Sequence, residues 1–346
     1  MTNIFGYTLQ ELESFCKENS IEKYRAKQII KWLYQDQLED FTAMTNLPLN
    51  LRTKLTELCV IDKPILKEQL VSKDKKTIKF LFMYSDGNTV ETVLMRQSYG
   101  NSVCVSSQVG CGMNCTFCAS AVNGLTRNLT VGELLAQVLY INKLLQDNYA
   151  ERINSIVIMG SGEPMANYDN VLNFIKLCHE SYTLNLSYRS ITLSTAGLIP
   201  YIEKLATEEL PITLSISLHA PNDDIRTMLM PINTTYSIQP LILAAKNYVA
   251  KTNRRITFEY ILIKDLNDQI NHAKELAVLL RGILANVNII PINPVSEKGY
   301  QRPANQHIKL FVDTLEQNHI NVTIRREMGV DIQAACGQLR NKHLLK

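Results

Sequence analysis

From about Asn101 to Ile324, short β-branched apolar runs alternate with stretches of helical periodicity, and this alternation constrains the fold more than any other feature. The runs are Val103–Val105, Ile153–Met159, Ser190–Leu193, Ile212–Ile216, Ile256–Ile263, Val287–Ile292 and Val322–Ile324. The intervening helices fit Thr130–Gln146, Asn170–Glu180, Ile238–Lys251, Ile270–Arg281 and Ala304–Asn318. Strands that alternate with helices pair in parallel through βαβ crossovers, with helices covering the sheet. Six or seven such units predict an α/β barrel or partial barrel, with its chemistry at the C-terminal ends of the strands. No internal repeat or low-complexity segment interrupts the pattern.

Two smaller pieces precede it. Residues from about Thr8 to Cys59 read as helices, because Leu9, Leu12, Phe15 and Cys16, and then Ile29, Ile30, Leu33 and Tyr34, recur at helical spacing. Pro48 and Pro64 punctuate this module. Next, Thr77–Met83 and Thr89–Met95 flank Ser85-Asp86-Gly87-Asn88, and an Asp-Gly turn between β-rich runs predicts a hairpin. The expected organisation is a helical domain over 1–62, a β-hairpin extension over 63–98, the barrel over 99–325 and a C-terminal loop over 326–346. With 46% hydrophobic and 20% charged residues the chain reads as an ordinary folded protein. No uninterrupted apolar run approaches the roughly 18 residues a membrane span needs, so none is expected. Met1–Tyr7 lacks a basic stretch followed by an apolar core, so the expectation is a cytoplasmic protein without a secretory signal. In that setting eight cysteines argue for metal or catalytic use over a disulfide framework. A net charge of +3 says little about partners. A local basic face could still come from Lys73, Lys75, Lys76 and Lys79, or from Arg325, Arg326, Arg340, Lys342 and Lys346.

Three cysteines, Cys111, Cys115 and Cys118, follow the first strand of the alternating region with the spacing C-x3-C-x2-C. Three thiolates this close can wrap one side of a 4Fe–4S cluster and leave one iron open for a ligand. The competing reading adds Cys104 or Cys336 as a fourth ligand to a closed zinc site, although zinc sites usually show two C-x2-C knuckles and here there is one. Further along, Gly160-Ser161-Gly162-Glu163-Pro164 follows a strand, and its glycines permit close backbone approach to a ligand. Ser194, Ser217, His219 and Asn293 fall at the ends of later strands, as a pocket over a barrel mouth requires. Cys16, Cys59 and Cys178 lie on apolar faces and read as core.

The triplet, together with Cys104–Cys111, Met159–Pro164, Ser217–Asn222 and Ala334–Leu339, resembles the radical S-adenosylmethionine (SAM) superfamily and, within it, the RlmN/Cfr family of RNA methyltransferases. The resemblance covers nearly the whole chain. It implies a partial (β/α)6 barrel, one 4Fe–4S cluster on Cys111, Cys115 and Cys118, and SAM contacts from Gly162, Glu163, Ser194, Ser217, Leu218, His219 and Asn293. Relatives commonly carry Met at the position of Ser161. Cys336 matches the cysteine that becomes S-methylated, Cys104 the cysteine that resolves the covalent intermediate as a disulfide, and Glu91 an acid that accepts a proton. Read by itself, Glu91 would be an exposed strand residue.

The implied reaction explains these parts. Carbon 2 of adenine is electron-poor and does not attack the SAM methyl by displacement, so radical chemistry must come from a cofactor. The family consumes two SAM per turnover, one to methylate the cysteine at 336 and one to furnish a 5′-deoxyadenosyl radical. The implied substrates are 23S rRNA (position 2503 in the usual numbering) and tRNA (position 37), gripped by the helical module and the basic tail. A low-potential, flavodoxin-type electron donor and a monomer are expected. Two alternatives stay open on these motifs: methylation at carbon 8 of the same rRNA adenosine, and a zinc-stabilised RNA-binding protein without catalysis. Lys31–Tyr34 and Met44–Pro48 look more like the carbon-2 enzymes.

Overall fold

The computed structural model describes residues 1–293 and 299–339; Arg340, Lys342 and Lys346 lie outside them. The chain opens with β1 (Thr2–Asn3) and three helices, α1 (Leu9–Glu18), α2 (Arg25–Tyr34) and α3 (Leu49–Leu58). Thr8 starts α1 because its hydroxyl accepts from the Glu11 amide while the Glu11 carboxylate accepts from the Thr8 amide. Ala26, Ile29, Ile30 and Leu33 form the buried stripe of α2. Cys16 and Cys59 are buried in this module, and Cys178 is buried in the main domain. Strand β2 (Cys59–Val60) pairs in parallel with β1 and closes the module.

Four antiparallel strands follow: β3 (Ile65–Val71), β4 (Thr77–Met83), β5 (Thr89–Gln97) and β6 (Gly100–Cys104). The Asp-Gly turn sits where the sequence places it, with Gly87 at φ +81° and its amide donating to the Tyr84 carbonyl. The hairpin gains an outer strand, β3, that the sequence does not announce: Lys67-Glu68-Gln69 interrupts any apolar alternation, as suits an exposed sheet edge. A small hairpin, β7 (Gln108–Gly110) and β8 (Leu125–Asn128), comes next.

The alternating region then builds α4 (Val131–Tyr149), β9 (Ile153–Ile158), α5 (Tyr168–His179), β10 (Ile191–Thr195), α6 (Ile199–Leu205), β11 (Thr213–Ser217), α7 (Asp223–Leu229), α8 (Ile238–Thr252), β12 (Ile256–Leu262), α9 (Ile270–Leu280), β13 (Ala285–Pro291), α10 (Asn305–Gln317) and β14 (Asn321–Ile324). All strands but β1, β2, β7 and β8 join one sheet, ordered β14-β13-β12-β11-β10-β9-β6-β5-β4-β3. From β6 to β14 the pairing is parallel and spatial order follows chain order, which is the succession of crossovers the alternation implies. Along β9, β10 and β13 fully buried apolar residues such as Ile156, Ile158, Ile191, Leu193, Val287 and Ile289 alternate with half-buried ones, whereas β12 is buried almost throughout. Helices α6 and α7, each seven residues, were too short to register as a periodicity.

The helical module seats on the first helix of the barrel. A Cβ on Gly6 would lie 2.5 Å from the Gly132 nitrogen, and one on Gly132 would lie 2.3 Å from the Phe5 carbonyl oxygen. The Tyr34 hydroxyl accepts from the Gly6 amide, and the Tyr182 hydroxyl accepts from the Leu9 amide. Gly132→Ala brings two opposed effects: alanine favours the helix by about 1 kcal/mol, whereas its methyl must displace backbone, at about 1–3 kcal/mol. Because the obstructing atom belongs to the main chain, the clash should win and the thermal midpoint should fall. A midpoint equal to or above wild type would show that this seat is loose.

Candidate active site

The loop between β7 and β8 carries the cysteine triplet. Its base is closed by the Cys111 amide donating to the Gly124 carbonyl, 2.9 Å. Gly110 at the entrance has φ +74°, and a Cβ there would overlap the Gly124 carbonyl. The far side is held by the Thr116 amide on the Leu229 carbonyl, 2.9 Å. All three cysteines line one cavity at the C-terminal ends of the strands, together with Gly162, Glu163, Ser194, Ser217 and His219. Burial pushes the Cys111 thiol up to about 12 and raises Cys115 and Cys118 as well. Buried, mutually repelling thiolates of this kind are stabilised by binding metal, which takes the place of their protons.

Among the described residues no group of three or more His, Cys, Asp or Glu side chains converges on the point a single ion would occupy. Three thiols lining one cavity and carried by one short loop suit a cluster that takes one sulfur on each of three irons. The donor set therefore fits the 4Fe–4S group, with Cys111, Cys115 and Cys118 as its holders.

Glu163 has a precise local reason to be where it is. Its Oε1 accepts from the Met165 amide at 3.0 Å, its Oε2 from the Ala196 amide at 2.7 Å, and its own amide donates to Gln108 Oε1 at 2.8 Å. Gly162 has φ +107°, and a Cβ there would strike Gln108 and Ser107. Burial raises the Glu163 carboxyl to about 7 despite the two amides. His219 also sits in the left-handed region, at φ +59°. Its Nδ1 accepts from the Ile261 amide at 3.0 Å, and burial lowers it to about 3, so the neutral ring carries its proton on Nε2. Phe117 meets the His219 ring edge-on at 4.9 Å. Leu218 differs from its neighbours: its side chain is core, and its carbonyl is held by Arg226.

A second cavity adjoins the first and contains Cys104, Met95, Ser120 and Asn293. Cys118, Met159, Arg325, Cys336 and Gly337 line both, so Cys336 stands at the junction. The loop bearing it is pinned to the cysteine loop by the Ala119 amide on the Gly337 carbonyl, 2.8 Å, and by the Ser120 hydroxyl on the Leu339 carbonyl, 2.7 Å. Asn293 Nδ2 donates to the Cys336 carbonyl at 3.3 Å. Cys104 packs with Val93 and Leu339 in a small apolar cluster apart from the main core. All eight cysteines are free thiols, Cys104 and Cys336 included. Ser161 is buried and lines neither cavity, its hydroxyl 3.1 Å from that of Ser120.

Glu91 lines neither cavity. It is 5% exposed, beneath the loop that bears Cys336, and pairs with Lys79 at 2.9 Å. This corrects two expectations: a strand glutamate is not at the surface, and Lys79, 5% exposed, is no part of a basic face. Lys73, Lys75, Lys76 and Arg326 are exposed, while Arg325 turns inward, 3.9 Å from Glu259.

Sequence reasoning missed Glu259, Arg325's inward turn and Arg226. Glu259 had a signal, a carboxylate inside the apolar run Ile256–Ile263; in the structure Asn288 donates to it at 2.8 Å. Arg226 had none, since arginine on a helix is ordinarily exposed. It is fully buried and donates to the carbonyls of Ala196, Ser217, Leu218 and Tyr236 and to Asn233 Oδ1. Five bonds match the five N–H groups of a guanidinium, and three of the carbonyls belong to the turns that border the cavity.

Comparisons with known proteins bear on the whole chain. The family model for the ribosomal RNA large subunit methyltransferase N-terminal domain matches residues 2–61, and that for the radical SAM superfamily matches residues 105–277. Two curated proteins named probable dual-specificity RNA methyltransferase RlmN, from Clostridium tetani and Desulforamulus reducens, are each 49% identical to it, over 99% of this chain and 97% and 96% of theirs. The crystal structure of a radical SAM methyltransferase from Sphaerobacter thermophilus is 43% identical and superposes with a TM-score of 0.94, covering 99% of this chain and 100% of that one.

Glu163 also yields a pH test. A carboxyl raised from 4.5 to about 7 by folding contributes stability below 4.5 that is lost as pH rises through 7. Without SAM, the difference in thermal midpoint between wild type and Glu163→Gln should therefore move in the variant's favour across that window. A difference that stays constant would show that the carboxyl is not shifted.

Proposed function

Because this chain belongs to the RlmN family of radical SAM RNA methyltransferases, we infer that it methylates carbon 2 of adenosine in 23S rRNA and tRNA through a methylated cysteine. The observation that carries the reading is the position of Cys336. It lines both the cavity of the cysteine triplet and the cavity of Cys104. A thiol at that junction can take a methyl group from one side and deliver it to the other.

Each residue then has a task. Cys111, Cys115 and Cys118 hold the cluster. Glu163 offers its carboxylate to the SAM ammonium, while Gly162, Ser194, Ser217, the Leu218 backbone and His219 Nε2 shape the rest of the SAM site, and Asn293, which lines the adjoining cavity, borders it through its bond to the Cys336 carbonyl. Cys336 Sγ takes a methyl group from one SAM by displacement. When bound, the cluster would supply the electron that cleaves a second SAM to the 5′-deoxyadenosyl radical, and that radical would take a hydrogen atom from the methyl on Cys336. The carbon on Cys336 then adds to adenine carbon 2. Glu91 accepts the proton lost from adenine carbon 2, and the adduct's unpaired electron would return to the oxidised cluster. Cys104 attacks the Cys336 sulfur, the carbon–sulfur bond breaks, the thiol proton passes to the departing carbon to complete the methyl group, and a Cys104–Cys336 disulfide is left. Cavity walls built from Met159, Ile290 and Phe117 keep water away from the radical. The adenine must leave its stack to reach the thiol. The helical module and exposed Lys73, Lys75, Lys76 and Arg326 supply phosphate contacts. One cluster per chain, two SAM per turnover, a flavodoxin-type reductant, a monomer and a cytoplasmic setting complete the proposal. No helix among the described residues is long and apolar enough to cross a membrane.

Mass spectrometry of rRNA and tRNA nucleosides from cells with and without the gene tests the reaction. Loss of 2-methyladenosine from both pools is expected, and methyl at carbon 8 would reject this reading. Cys336→Ala should abolish RNA methylation, by at least about a thousandfold given that the carrier itself is gone. Cys104→Ala should still methylate Cys336 yet retain RNA covalently attached. Stoichiometric zinc without iron in anaerobically purified protein would overturn the catalytic reading.

A further inference from the structure

Lys79 lies on β4 directly opposite Val93 of β5, and Val93 lies opposite Cys104 of β6. Glu91, two residues before Val93, shares that face. Lys79, Glu91 and Cys104 thus stand on one side of three adjoining strands, beneath the loop that carries Cys336. The Lys79 ammonium is 2.9 Å from Glu91 Oε1 and donates to the Gln333 carbonyl at 3.2 Å, three residues before Cys336. Both side chains of the ion pair are 6% exposed.

A buried ammonium costs several kcal/mol unless its partners compensate. Leu81 and Val93, its neighbours on that face, are apolar, so filling space there asks only for another apolar side chain. The charge is explained by its two partners, one the candidate proton acceptor and the other the main chain of the carrier loop. We propose that Lys79 is a positioning residue for the transfer to RNA: it fixes the Glu91 carboxylate relative to the carrier loop, so that proton removal occurs only with Cys336 seated. This rests on the reading of Glu91 as the proton acceptor. Lys79 touches neither the SAM-side cavity nor the cysteine triplet. Its loss should therefore spare the steps that precede contact with adenine.

Lys79→Met and Glu91→Gln, each as reconstituted holoenzyme, test this. In Lys79→Met, methylation of Cys336 and cleavage of SAM to 5′-deoxyadenosine should stay within twofold of wild type, while methyl transfer to RNA falls at least tenfold and covalent protein–RNA adduct accumulates. Amide hydrogen exchange across Gly329–Leu339 should quicken, a readout that needs no turnover. If Lys79→Met folds poorly, Lys79→Gln serves the same comparison, with at least a threefold loss of transfer. Lys79→Arg, which keeps a cation beside Glu91, should recover most of the transfer. Transfer within twofold of wild type in Lys79→Met, or a parallel fall of Cys336 methylation, SAM cleavage and transfer, would overturn the proposal. Glu91→Gln separates the two readings. Full transfer there removes Glu91 as proton acceptor and the proposal with it; lost transfer there beside normal transfer in Lys79→Met removes the role of Lys79 alone.

Discussion

Two hydrogen bonds from the cysteine loop to the tail, Ala119 to the Gly337 carbonyl and Ser120 to the Leu339 carbonyl, decide what this molecule can do. They join two segments far apart in the chain and leave Cys336 between the cavity of the cysteine triplet and the cavity that holds Cys104. Each is a modest interaction, about 1 kcal/mol net. Their value lies in geometry, because they keep one thiol on the border of both cavities.

The rim of the cavity that holds the cysteine triplet depends on buried polar groups of a similar kind. Arg226 gathers carbonyls from the turns after β10 and β11, and Asn267 takes the His219 and Ile261 carbonyls while accepting from the Ile263 amide. Removing either would leave several buried acceptors unpaired, each a cost of about 1–3 kcal/mol. Glu163 does the same with two amides and keeps its carboxylate in an apolar wall. These groups let irregular backbone, including left-handed Gly162 and His219, hold a fixed shape where a ligand must fit.

How much of this was legible depended on whether a residue's role follows from its near neighbours in the chain. The cysteine triplet, the glycines before Glu163 and the polar residues closing β-branched runs announce themselves locally, and the barrel follows from strand and helix periods. Lys79 did not. In Thr77–Met83 a lysine between apolar residues reads as the solvent side of a strand, yet β4 is buried on both faces, because Ala334 and the rest of the tail cover the side that alternation assigns to water. Arg226 was illegible for the same reason, since its five acceptors come from three separate connections, after β10, at the end of β11 and between α7 and α8. Edge strand β3 was missed because its charged middle carries no pattern.

The small apolar cluster of Val93, Cys104 and Leu339 stands apart from the large core. The tail it secures is held by a few side chains and a few hydrogen bonds, the combination found in segments that open locally before the rest of a fold. Such an opening would wet the buried Lys79–Glu91 pair beneath the tail while the large apolar core stays closed.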